Sequence, residues 1–246
     1  MTEITKDKHN WKLSVQSKKK GVEISVDISL AQRVPAGWES HPDKLVVLAH
    51  GAGQPRNSEF MEGMAQALTE KGWWVVLFNF VYMEYGPRMP ERQPALQKTY
   101  REVLAHLQQR FADLAYPPKR WFIGGKSMGG RTASHLAEDP ELAKPLAGVV
   151  YLGYPLVPPA KPDQIRADHL PNIQIPQLFM QGSKDPFSPA GSLEAVLPNI
   201  PKATHMLVPG GEHSFKRPKR DGVSLEDTLA SVANDITLWA DALEGS

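Results

Sequence analysis

A chain of 246 residues with 41% hydrophobic residues, six Trp and eight Phe has enough apolar material for a sizeable core, and a mean hydropathy of -0.37 fits a water-exposed globule built as one domain. Its 28 basic and 27 acidic residues leave a net charge of +1, so no global field draws in nucleic acid or an anionic bilayer. The lack of Cys excludes disulfides, thiolate metal sites and a cysteine nucleophile.

From Met1 to Asn10 the chain is polar and mixed in charge, and no apolar run reaches the roughly 18 residues of a spanning helix. A cytoplasmic location without membrane attachment is the default expectation. Lys12 to Gln16 and Val22 to Leu30 alternate apolar and polar residues and predict antiparallel strands at one sheet edge, with Lys18-Lys19-Lys20 as a solvated hairpin turn.

Leu45 to Ala49 is the first strand of buried character. Trp73 to Phe80, Arg120 to Gly124, Gly148 to Gly153, Gln177 to Gln181 and Thr204 to Val208 continue the series, each bounded by Gly or Pro. Met61, Met64, Ala65 and Leu68 form one helical stripe, and Leu96, Tyr100, Val103, Leu107 and Phe111 another. Leu225, Leu229, Val232, Ile236, Trp239 and Leu243 form a last one behind Ser224, a suitable N-cap. Strands alternating with helices predict an α/β architecture, a mostly parallel central sheet with helices on both faces. The Pro-rich stretch from Pro155 to Pro176 is long for a bare connection and short for a cap domain, and is placed to overhang a site.

The chemistry begins at Gly125-Lys126-Ser127-Met128-Gly129, between a strand and a helical pattern. A serine on a sharp strand-to-helix turn crowds the residues two positions either side, and Gly125 and Gly129 relieve that crowding. A serine nucleophile needs a base, and the base an acid. Asp185 follows the strand Gln177 to Gln181, and His213 follows the strand Thr204 to Val208 in a Gly-rich loop, so both are expected at the carboxyl edge of the sheet. Glu212 is a rival acid, disfavoured because it neighbours the histidine it would have to face. His106, His135 and His205 fall within helices or a strand and read as structural. After the strand ending at Ala49, His50-Gly51-Ala52-Gly53 supplies small residues that let a backbone N–H approach a substrate oxygen. Ala52 and Met128 are the expected oxyanion donors, Gly53 the alternative to Ala52, and His50 an anchor for the loop.

Lys126 and Arg131 flank the serine and Arg88 and Arg92 follow Phe80, so these cations either meet an anionic substrate or pair with carboxylates and solvent. Tyr82, in a loop with Met83, Tyr85 and Met89, lines a pocket or packs in the core. Lys126, Arg131 and Tyr82 are thus the candidate substrate contacts. The spacing at Gly125-Lys126-Ser127 fails the phosphate-loop pattern, because Arg120 stands where its first glycine belongs, and no clustered ligand spacing suits a metal. No cofactor is expected.

Together, His50-Gly51-Ala52-Gly53, Gly125-Lys126-Ser127-Met128-Gly129-Gly130-Arg131, Gly182-Ser183-Lys184-Asp185-Pro186 and Glu212-His213-Ser214-Phe215 resemble the alpha/beta-hydrolase superfamily. More narrowly, that elbow with Phe78-Asn79-Phe80 and Tyr154-Pro155-Leu156 to Pro162 is similar to a predicted-hydrolase branch near the dienelactone hydrolases, which includes subunit three of the NSL histone acetyltransferase complex. The resemblance runs from about Leu45 to the C-terminus. It implies the alpha/beta-hydrolase fold with a small cap or none, and a hydrolytic triad of Ser127, Asp185 and His213 acting on a small-molecule acyl substrate. Dienelactone hydrolases proper use a cysteine, which this chain lacks, so their substrate is not implied. Three readings share these residues: a serine esterase, a thioesterase or peptidase using the same triad, and a hydrolase-like binding scaffold. Reaction with a fluorophosphonate probe separates the scaffold from the enzymes.

Overall fold

A computed structural model describes residues 9–19, 22–33, 43–86, 89–112, 114, 117–158, 161 and 164–243. Lys20, Arg88 and the first eight residues, on which expectations were placed above, lie outside the described residues. The strands are β1 (His9–Lys19), β2 (Val22–Arg33), β3 (Lys44–Ala49), β4 (Trp74–Phe78), β5 (Arg120–Lys126), β6 (Leu146–Leu152), β7 (Gln177–Gly182) and β8 (Ala203–Val208). They form one sheet in the order β1-β2-β4-β3-β5-β6-β7-β8. β2 runs antiparallel to β1 and β4, and every pairing from β4 to β8 is parallel.

β1 and β2 run longer than their alternation suggests. Lys18 and Lys19 are not turn residues, because they pair with Glu23 and Val22 as the last positions of β1.

The helices are α1 (Glu59–Glu70), α2 (Val81–Glu84), α3 (Gln93–Ala112), α4 (Met128–Ala137), α5 (Pro140–Ala143), α6 (Ser192–Val196) and α7 (Leu225–Ala242). The apolar stripes read from the sequence lie buried along α1, α3 and α7, with Leu225 and Leu243 at the ends of the last one partly buried. Ser224 caps α7 through a reciprocal pair: its hydroxyl accepts from the Asp227 N–H, and the Asp227 carboxylate accepts from the Ser224 N–H.

Two cores result, one on each face of the sheet. Along β3, Leu45, Val47 and Ala49 join the core shared with α3, while Val46 and Leu48 join the core under α1 and α7. That split follows from the two-residue period of a strand buried on both faces. Tyr100 of α3 reaches under the sheet centre, its hydroxyl donating to the Val47 carbonyl at 2.5 Å and accepting from the Gly124 N–H at 3.0 Å. Between β6 and β7 the described residues hold only a short 3-10 turn, Leu170–Asn172, and no cap domain. No helix among the described residues is long and apolar enough to cross a membrane.

Candidate active site

β5 passes its last residue to Ser127, which sits at φ 50° and ψ -113° before α4 begins at Met128. Positive φ in a residue with a side chain costs on the order of 1–3 kcal/mol, so the surroundings must hold it there. The Ser127 N–H donates to the Leu152 carbonyl at 3.1 Å, and the Arg131 N–H donates to the Ser127 carbonyl at 3.0 Å. The flanking glycines are sterically required. A Cβ on Gly125 would fall 2.3 Å from the Ala49 carbonyl oxygen, and one on Gly129 at the same distance from that oxygen. The turn thus presses against the end of β3 with no room for a methyl group.

Tertiary folding brings three side chains from separate loops into one line. The Ser127 Oγ lies 2.9 Å from His213 Nε2, and His213 Nδ1 lies 2.7 Å from Asp185 Oδ2. Asp185 is buried, and its carboxylate also accepts from the Gln181 amide and from the Phe187 N–H at 2.8 Å. With the carboxylate on Nδ1, that nitrogen carries the proton and Nε2 is left to accept from the serine hydroxyl. The Phe187 ring covers the imidazole at 4.3 Å. Glu212 is exposed, and its carbonyl abuts Gly182, so the carboxyl group facing the imidazole is that of Asp185.

The acid and base loops are tied to each other. The Ser183 N–H donates to the Val208 carbonyl and the Lys184 N–H to the Gly211 carbonyl. A Cβ on Gly182 would stand 2.4 Å from the Glu212 carbonyl oxygen, so the base loop seats directly on the end of β7.

Ala52 and Gly53 lie exposed in the turn after β3, and a Cβ on Gly51 would stand 3.6 Å from Ser127 Cβ, which puts this loop alongside the hydroxyl. Met128, as the first residue of α4, has an N–H without an acceptor inside the helix. His50 is fully buried and locks the loop: its Nδ1 donates to the Gly51 carbonyl at 2.8 Å and its Nε2 accepts from the Phe80 N–H at 3.1 Å. Burial pushes its pKa down to about 4.

Two of the expected substrate contacts, Lys126 and Tyr82, lie buried. Lys126 is buried, its ammonium donating to the His213 carbonyl and lying 5.4 Å from the Phe60 ring. Desolvation pushes its pKa down to about 7, against the opposing pull of Asp185 and Glu212. Tyr82 is also buried, its ring 5.8 Å from that of His50 and its phenol pushed up to about 12 by desolvation, so it packs against the base of the loop after β3. Arg131 is half-buried beside Tyr154.

Gln181, Phe187 and Gly153 were not singled out by sequence reasoning. Gln181 carried one signal, a polar residue ending a buried strand. Gly153, at φ 68°, is legible only in three dimensions: a Cβ there would meet the His213 carbonyl oxygen at 3.0 Å and Lys126 Nζ at 3.1 Å. Among the described residues no group of three or more His, Cys, Asp or Glu gathers to hold a metal ion. A cavity of about 350 Å³ opens near Trp121 and Leu146, at the amino ends of β5 and β6 and so away from Ser127.

The family described as the alpha/beta hydrolase domain matches residues 42–241. The chain belongs to that family. No curated protein matches it. Solved structures share the hydrolase fold along nearly the whole chain. A dienelactone hydrolase from Anabaena variabilis is 22% identical, with a TM-score of 0.66 over 95% of this chain and 97% of that one. Est1E from Butyrivibrio proteoclasticus is 12% identical, with a TM-score of 0.66 over 95% and 99%. A Xanthomonas campestris member of the a/b serine hydrolases without a lid is 16% identical, with a TM-score of 0.62 over 93% and 94%.

Proposed function

We propose that this alpha/beta hydrolase is a serine esterase that cleaves small acyl esters through an acyl-enzyme on Ser127. The observation that carries the reading is the unbroken hydrogen-bonded line from Ser127 Oγ through His213 to Asp185, at 2.9 and 2.7 Å. Esterases and a dienelactone hydrolase among the structural relatives make esters the first bond class to test.

His213 Nε2 takes the hydroxyl proton as Ser127 Oγ attacks the acyl carbon, and the imidazolium that forms is stabilised by Asp185. The carbonyl electron pair moves onto oxygen, where the amides of Ala52 and Met128 receive it. Collapse of the tetrahedral adduct breaks the bond to the alcohol, which leaves with the proton from His213. Water, deprotonated by the same nitrogen, then attacks the acyl-serine and returns the enzyme with a free acid. Gln181 and Phe187 hold Asp185 so that its lone pair stays on Nδ1–H.

The test is twofold. Wild-type protein is expected to react with a fluorophosphonate probe and to turn over p-nitrophenyl esters, and S127A is expected to lose both, with kcat lower by about 10⁶. Wild-type protein that neither takes the probe nor hydrolyses any acyl ester rejects the reading.

A further inference from the structure

The chemistry of ester cleavage places the alcohol half of a substrate beside His213. When the tetrahedral adduct collapses, the leaving oxygen takes its proton from His213 Nε2, so it sits about 3 Å from that nitrogen. The first carbon bound to that oxygen then lies in van der Waals range of whatever flanks the imidazole. The acyl carbonyl oxygen is held elsewhere, by the amides of Ala52 and Met128. Side chains packed against the imidazole are therefore the ones that meet the alcohol.

In this molecule that side chain is Phe187. Its ring centroid stands 4.3 Å from that of His213, with 32° between the planes, a tilted stack at contact distance. His213 Nε2 in turn lies 2.9 Å from Ser127 Oγ, so a single imidazole separates the Phe187 ring from the reacting hydroxyl. The two rings share an open surface. His213 Nδ1 is covered by Asp185, whose side chain has no exposure, whereas the His213 side chain is 20% exposed and Phe187 beside it is half-buried. The open part of the imidazole therefore lies away from Nδ1, toward the edge that carries Nε2. Core packing does not account for Phe187. The chain has eight phenylalanines, and all the others are buried in one of the two cores, Phe78, Phe80, Phe111 and Phe179 on one face of the sheet and Phe60, Phe122 and Phe215 on the other. Phe187 belongs to neither, yet its backbone is fixed on both sides: its N–H donates to Asp185 Oδ1 at 2.8 Å, and its carbonyl accepts from the Val157 N–H at 2.8 Å. An aromatic ring anchored in this way has little freedom left to lose when apolar surface docks on it.

We infer that Phe187 is a specificity-determining residue for the alcohol half of the substrate, and that it selects esters of aryl and arylmethyl alcohols over those of short alkyl alcohols. This rests on the serine-esterase reading and adds the substrate class. A methyl group on the leaving oxygen is too short to cover the Phe187 ring, whereas a flat ring one bond further out buries apolar area against it and gains the additional attraction of an aromatic pair.

The test pairs benzyl acetate with methyl acetate, which differ only in the alcohol, and p-nitrophenyl butyrate with p-nitrophenyl acetate, which differ only in the acid. Wild-type protein is expected to favour benzyl over methyl acetate by about tenfold or more in kcat/KM, and F187A to cut that preference by at least about fivefold while moving the butyrate-to-acetate ratio by less than about twofold. Ratios cancel a general loss. If the ring serves only to steady His213, both esters of each pair slow equally in F187A and no ratio moves, which overturns the inference. Equal wild-type specificity for the two acetates, or an acyl ratio that moves as far as the alcohol ratio, overturns it as well. F187Q, which keeps the length and removes the ring, is held to the same expectation and decides the matter if F187A fails to fold. Titration with benzyl alcohol, followed through the NMR resonances of the His213 ring, supplies an arm independent of turnover. A shift in wild type that is absent in F187A supports the subsite even if no ester is cleaved, the outcome in which the esterase reading alone has failed. No shift in wild type, or an equal shift in F187A, overturns the subsite.

Discussion

Two regions on either side of Ser127 use the same raw material in opposite ways. Behind the serine, Lys126 is enclosed, its ammonium spent on the His213 carbonyl and set against Asp185 and Glu212. One turn along α4, Arg131 lies half-buried beside Tyr154, and among the described residues it forms no ion pair. The difference teaches that a cation near Ser127 is read by its partners: one bonded to a loop carbonyl is a fixed part of the fold, whereas one without an ion pair leaves its charge uncompensated. Substitutions behind the serine are therefore expected to act on kcat, and those beside it on selectivity.

The sharpest way to break that division is at the acid. D185N keeps the shape of the enclosed region but removes the charge that fixes the His213 tautomer, and kcat for any cleaved ester is expected to fall by about 10⁴ with little change in KM, read by steady-state kinetics. A substantially larger effect on KM than on kcat would erase the contrast between the two regions.

A second probe lies in the loop after β3. The folded pKa of His50 is held near 4, below its ordinary 6.5, because burial desolvates the ring. A depressed folded pKa means that its contribution to stability is whole above pH 6.5 and is lost as pH falls through 4. The loss amounts to about 3 kcal/mol. Urea unfolding of wild type at pH 7 and pH 4 is expected to show this decline, and H50N to show a shallower one.

K126M tests the enclosed cation directly. The ammonium orders the base loop through one bond, so kcat is expected to drop about tenfold to a hundredfold with KM little changed. Its folded pKa is also depressed, to about 7 from 10.5, so its contribution to stability is present above pH 10.5 and is lost as pH falls through 7. The wild-type melting temperature is therefore expected to rise between pH 7 and 10 relative to that of K126M. The smallest effect serves as a distant control: S224A removes the cap of α7 and should cost about 1 kcal/mol in stability while leaving both kcat and selectivity where they were.

Much of this was legible in the chain itself, for local reasons. Strands buried on both faces must be continuous apolar runs, so β3 to β7 announced themselves. A serine at positive φ on a crowded turn demands glycine two residues before and after, which made Gly125-Lys126-Ser127-Met128-Gly129 readable without coordinates. The sequence by itself determined the alternation of strand and helix, the turn that carries the serine, and the strand ends from which an acid and a base would come. Only the tertiary structure decided which way each charged side chain faces. Lys126 meets a carbonyl 87 residues away, and Arg131 lies beside Tyr154, which follows a different strand. The fate of a charge depends on the neighbours that fold around it, and spacing along the chain does not encode those neighbours.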